Sequence, residues 1–94
     1  MKVYRIIYQS GRIGRQTFTH TTGEFFPTKE KAESRIMELL ESKRKEYKTF
    51  KTWKQDNVWM SEIKALKRFC DYWIEEVTSQ MVERPRYNKK LMRL

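Results

Sequence analysis

The sequence predicts an α+β domain: a short antiparallel β-hairpin or three-stranded sheet at the N-terminus, packed on two amphipathic helices, with a basic C-terminal tail. Three observations lead there. Residues 2–26 are rich in β-branched and aromatic side chains and are punctuated by glycines. Residues 29–47 and 58–81 each carry apolar residues at helical spacing. After Pro85 the chain becomes strongly basic. A chain of 94 residues has room for one domain with one thin core. We read that domain as residues 1–81 and expect 82–94 to be a flexible tail.

The first strand is read from Lys2-Val3-Tyr4-Arg5-Ile6-Ile7-Tyr8-Gln9, in which Tyr4, Ile6 and Tyr8 share a face. Gly11 and Gly14 bracket a turn that carries Arg12 and Arg15 at its tip. Gln16–Thr21 favours a second strand through its alternating threonines. Thr22-Gly23 predicts another turn and Glu24–Phe26 a short third strand ended by Pro27; two strands with a bulge are the alternative. Thr28 can cap a helix and Glu30 complements its first turn. Ala32, Ile36, Leu39, Leu40 and Tyr47 then form one stripe, so the first helix runs from about residue 29 to the high 40s. In Tyr47–Lys54 an aromatic recurs every third residue with a lysine after each, a period that drifts around a helix and leaves its continuation open. After the polar break Gln55-Asp56-Asn57, a stripe of Trp59, Ile63, Leu66, Cys70, Trp73, Val77 and Met81 predicts a second helix over about 58–81.

Charge narrows the function. The chain has 21 Lys+Arg against 12 Asp+Glu, a net charge of +9, which is the footprint of a polyanion-binding protein. The excess is uneven: residues 58–81 hold three basic and four acidic residues, whereas residues 82–94 hold five basic and one acidic. No apolar run reaches membrane-spanning length. Arg5 and Gln9 interrupt the early apolar stretch, so it does not read as a signal peptide. The lone Cys70 excludes an internal disulfide and suits a cytoplasmic setting.

Chemistry-bearing patterns are few. His20 is the only histidine and has no acidic residue within two positions, so a general acid–base pair is not evident and no enzymatic activity is expected. No cluster has zinc, magnesium or calcium spacing, and no cofactor motif occurs. The sequence matches neither an RNP1 motif, a KH loop nor a zinc finger. What stands out is cation beside aromatic. Lys43, Arg44, Lys45, Lys48, Lys51 and Lys54 surround Phe50 and Trp53. Lysines can meet phosphates while rings stack on bases. Arg12 and Arg15 can grip a phosphate from their turn. Arg84, Arg86, Lys89 and Lys90 would widen the footprint from the tail. The competing assignment places Tyr47, Phe50 and Trp53 in the core at the helix connection, with the lysines facing water.

The opening Met1-Lys2-Val3-Tyr4-Arg5-Ile6-Ile7, the stretch Phe26-Pro27-Thr28-Lys29-Glu30-Lys31-Ala32-Glu33, and the short Lys- and Glu-rich composition resemble small accessory proteins of T4-like bacteriophages. That resemblance implies a class of proteins that bind and redirect host factors, among them anti-restriction, anti-CRISPR and antitoxin-like inhibitors, acting in the host cytoplasm. Many such inhibitors are acidic mimics of nucleic acid, and the net charge of +9 departs from them. Two expectations follow. The first is a non-catalytic nucleic-acid-binding accessory protein, with RNA favoured over DNA and a host nuclease as a further partner. The second is an inhibitor or adaptor that docks its basic face on an acidic host protein without nucleic acid. A homodimer that completes the thin core is compatible with either.

Overall fold

The computed structural model describes residues 2–78. They form a five-stranded antiparallel sheet with one helix on one face. The chain order is β1 (Lys2–Arg12), β2 (Thr17–Phe26), α1 (Lys29–Glu46), β3 (Phe50–Gln55), β4 (Val58–Ile63), a single 3-10 turn (Lys64–Leu66) and β5 (Arg68–Thr78). In space the strands lie β2-β1-β5-β4-β3. The helix joins the two edge strands. Its 18 residues span roughly 27 Å, enough to cross the roughly 19 Å between the first and fifth strands of a sheet.

The predicted three-stranded sheet on two helices is therefore corrected: residues 58–78 are strands β4 and β5, not a second helix. Two local features decide it. Asp56 and Asn57 both have positive φ, 49° and 62°, the backbone of a two-residue hairpin turn whose hand matches strand twist. They return the chain directly from β3 to β4, in register from Gln55↔Val58 to Phe50↔Ile63. Residues 69–78 are then dominated by Phe69, Tyr72, Trp73, Ile74, Val77 and Thr78, types that favour a pleated surface. β5 pairs with β1 over its full length, from Lys2↔Thr78 to Arg12↔Arg68.

The N-terminal hairpin holds two strands, not three. β2 continues through Thr22-Gly23, and its register against β1 shifts between Arg5 and Ile7. Gly23 takes a φ of 79° there, a conformation that side chains with a Cβ resist.

The helix begins where capping chemistry dictates. Thr28 Oγ1 accepts from the Lys31 backbone N–H at 3.2 Å, and Lys43, Arg44 and Lys45 occupy the last turn, where cations offset the exposed carbonyls. Ala32, Ile36 and Leu40 are buried against the sheet. They pack with Ile6, Trp59, Cys70 and Tyr72, and Tyr4, Tyr8, Phe26, Phe50 and Ile74 close the edges of that cluster. Complete burial of a side chain such as Ile36 contributes roughly 1.5–3 kcal/mol. Pairing register sets which residues meet the helix, because strand side chains alternate between faces.

The opposite face is packed as well. Val58 and Met60 cluster with Trp53 and Trp73, and Ile7 is fully buried. Arg5 donates to Glu75 Oε1 through Nε at 3.0 Å and Nη2 at 2.6 Å. Gln9 donates from Nε2 to Thr17 Oγ1 at 2.9 Å. The residues that flank the cationic stretch are thus committed to a sheet, and this fixes where each cation can stand.

Candidate functional site

A cavity of about 980 Å³ opens on the helix side, between the C-terminal half of α1 and the turn end of β1, β2 and β5. Its floor is aromatic. Tyr8 lies between His20 and Tyr72, with ring centroids 5.3 and 5.8 Å away. Phe18 stacks on His20 at 6.4 Å and is 53% exposed. These four rings come from three adjacent strands. The pairings Ser10↔Phe18, Tyr8↔His20 and Tyr8↔Tyr72 put them on one face.

Four cations line the cavity: Arg12, Arg15, Lys43 and Arg68. Arg12 and Arg68 are direct cross-strand partners, a like-charge arrangement that costs stability in a sheet. Two backbone hydrogen bonds fix the local geometry. The Ile13 N–H donates to the Lys67 carbonyl at 2.8 Å, and the Arg15 N–H donates to the Arg12 carbonyl at 3.0 Å. The first ties the β1–β2 turn to the turn before β5, so arginines 56 residues apart in sequence (68 − 12) end side by side. Gly11 is required at this approach: a Cβ there would lie 2.9 Å from the Gln16 carbonyl oxygen. Among the described residues, none of the four cations forms a salt bridge. Glu62 is the one carboxylate on the cavity wall, and it stands opposite Lys51 in the β3–β4 ladder.

Lys43 reaches in from the helix, with Nζ 5.4 Å from the Tyr72 ring centroid. Burial pushes the Cys70 thiol above its ordinary range, and nearby Lys43 partly opposes that rise. Burial likewise pushes the Tyr72 phenol up, helped by Cys70. Both shifts favour the protonated, uncharged forms, which leaves Glu62 as the one carboxylate set against the four cations of the cavity wall. Ser61 Oγ donates to the Cys70 carbonyl, and the Ser61 N–H donates to Asp71 Oδ1 at 3.3 Å, which anchors β4 beside the floor.

The cations expected from sequence separate into two groups. Arg12, Arg15 and Lys43 converge on the cavity, and Arg68 joins them. Lys51 and Lys54 do not share a surface. Both lie in β3, three residues apart, and therefore face opposite sides of the sheet. Lys51 lies over Trp53 at 5.4 Å and Lys54 over Trp59 at 4.5 Å. Arg44 pairs with Glu41 at 3.5 Å and lies 6.0 Å from the Phe50 ring. Phe50 packs at the edge of the main core and Trp53 against the second cluster, so neither is an outward stacking ring. Lys45 and Lys48 are exposed at the end of α1 and in the following turn. Strand alternation thus divides the lysines that follow α1 between the two faces of the sheet. Arg84, Arg86, Lys89 and Lys90 lie outside the described residues.

Sequence reasoning misses Arg68 and the ring ladder, because a second helix over 58–81 leaves Arg68 off its apolar stripe. The Asp56-Asn57 hairpin pair and the β-rich composition of 69–78 were the signals that would have placed it on a strand.

The site therefore belongs to a one-helix, five-stranded α+β domain with a cationic, ring-floored groove. The chain matches no family model, no curated protein and no solved structure among those compared. Among the described residues, no helix is long and apolar enough to cross a membrane, and no three His, Cys, Asp or Glu side chains group as metal ligands do.

Proposed function

We propose that the protein is a small, non-catalytic nucleic-acid-binding accessory protein that holds an unpaired stretch, RNA in preference to DNA, in the groove between α1 and the β1–β2–β5 end of the sheet. The observation that carries this reading is the Arg12–Arg68 cross-strand pair, joined by Arg15 and Lys43 around Phe18, Tyr8 and Tyr72, with His20 beside the Phe18 and Tyr8 rings. Like charges opposed across a ladder are unfavourable without an anion between them, and a phosphate backbone supplies that anion. An exposed ring such as Phe18 accepts the flat face of a base only when the base is not already stacked in a duplex. Tyr8, Ser10 and Tyr47 line the groove, and hydroxyl-bearing side chains suit a ribose 2′-OH, which both donates and accepts. In the host-factor setting that the sequence resembles, the bound RNA and a host nuclease would be held together.

The test is filter binding of a single-stranded oligoribonucleotide over a salt series. Four phosphate contacts give a slope of log K against log salt of roughly −3, at about −0.7 per contact on single strands. Affinity should also be higher than for the matching duplex. A slope near zero, or equal affinity for duplex, overturns the reading.

A further inference from the structure

We propose a second binding site, separate from the groove: the outer edge of β3 accepts an acidic peptide in extended conformation, which adds to the sheet as a sixth strand. In the order β2-β1-β5-β4-β3, β3 is one of two edge strands, and no described strand lies beyond it. Its ladder with β4 is regular over six residues, Phe50 to Gln55. The opposite edge, β2, is interrupted by a register shift and by Gly23 at positive φ, devices that blunt strand addition. The β3 edge has no such interruption.

A cavity of about 240 Å³ runs along this edge on the helix side. Met37 and Leu40 of α1 and Trp59 of β4 form its apolar wall, with Thr52 and Lys54 of β3 and the Arg44–Glu41 ion pair of α1 at its margin. Met37 is 56% exposed, unusual for a large apolar side chain with a groove at its foot. Strand addition places alternate side chains of the newcomer on alternate faces. Residues on the helix side would enter this cavity, which has room for one large apolar side chain. Residues on the other side would meet Lys51.

The charges choose the occupant. Arg44, Lys45, Lys48, Lys51 and Lys54 stand on or next to this edge, and Arg44 is already paired with Glu41. A second copy of β3 would bring Lys51 and Lys54 against their own counterparts, and edge lysines are a recognised barrier to such pairing. An acidic strand turns the same lysines into attraction. The occupant is thus a segment that alternates an apolar residue with glutamate or aspartate.

The probe is a fluorophore-labelled peptide of about eight residues, a typical strand length, alternating leucine with glutamate. Anisotropy is followed on titration with the full chain. Saturable binding is expected, weakened at least about tenfold, equivalent to roughly 1.4 kcal/mol, by Met37→Asp and separately by Lys51→Glu. Both residues are exposed, and circular dichroism checks that each variant stays folded. The same peptide N-methylated at alternate backbone amides, and its lysine-for-glutamate counterpart, should not bind. Equal binding of the N-methylated peptide means adsorption by charge alone and overturns the proposal. So does loss of peptide binding on Arg12→Glu with none on Met37→Asp, which would put the peptide in the groove. A chain that self-associates through this edge and excludes the peptide, becoming monomeric on Met37→Asp, also overturns it.

Discussion

The groove and the β3 edge hold similar numbers of cations and differ in how those cations are used. In the groove, Arg12, Arg15, Lys43 and Arg68 come from a strand end, a turn, a helix and a second strand, and converge on one cavity. Along β3, Lys51 and Lys54 are close in sequence yet face opposite sides, each laid over an indole. Proximity in the chain does not make a surface. Convergence across a ladder does, because pairing register fixes distances that sequence spacing cannot. A polyanion meets the first arrangement as one field; it meets the second as isolated charges already sharing a ring.

The largest effect that would break this comparison is on affinity. The double substitution Arg12→Glu, Arg68→Glu should lower affinity for single-stranded RNA by about a hundredfold, roughly 2.7 kcal/mol. The matched pair Lys51→Glu, Lys54→Glu should change it by less than about threefold, once both are compared at one salt concentration. Equal losses would erase the distinction. The single Arg12→Glu sharpens it further. It places opposite charges across the β1–β5 ladder and should raise stability by roughly 0.2–1 kcal/mol in urea titration, while RNA binding still falls.

Next in size is the ring floor. Phe18 is half exposed and lies at the open end of the ladder of rings, so Phe18→Ala should leave the folded state nearly as stable. Loss of one base-stacking ring costs roughly 1–3 kcal/mol of binding. Affinity should therefore drop about tenfold at constant salt slope, because no phosphate contact is removed. A changed slope would mean that Phe18 acts by holding the cations in place.

A smaller effect follows from titration. Cys70 and Tyr72 both have pKa values raised in the fold, above ordinary values of 9.0 and 10.0, with burial as the first cause. A raised folded value favours the protonated form in the fold. Stability from these groups is complete below about pH 9 and is lost as pH rises further, where the unfolded chain releases protons that the folded chain keeps. Urea midpoints should decline from pH 9 upward, and Tyr72→Phe should flatten the part of the decline above pH 10.

How much of this was legible in the sequence depended on which signals agreed. At α1, the Thr28 cap, Glu30, the stripe Ala32-Ile36-Leu40 and a background of Glu, Lys, Arg, Met and Leu all pointed to a helix. Over 58–78 they conflicted. Trp59, Ile63, Cys70, Trp73 and Val77 satisfy a helical spacing, but the strands divide them between faces, with Trp59, Ile63 and Cys70 on the helix side and Trp73 and Val77 on the other. Where two periods fit, composition and turn chemistry decide, and Asp56-Asn57 with the aromatic and β-branched run favour the sheet. Arg12 and Arg15 were visible because glycines mark their turn. Arg68 was not, since its meaning arises only from the Arg12 opposite it, a partner that pairing supplies and local sequence does not.

The smallest effect returns to the β3 lysines. Lys54 lies 4.5 Å from the Trp59 ring centroid, and Trp59 belongs to the main core cluster. A cation over an indole at a solvent-facing site contributes roughly 0.5–1 kcal/mol, and the lysine stem also covers apolar surface. Lys54→Met keeps the stem and removes the charge. It should cost no more than about 1 kcal/mol in urea titration and leave RNA affinity within error of the parent chain. A cost in affinity without one in stability would show Lys54 released from its ring and reaching a phosphate, and the boundary between the two cationic regions would then have to move to include β3.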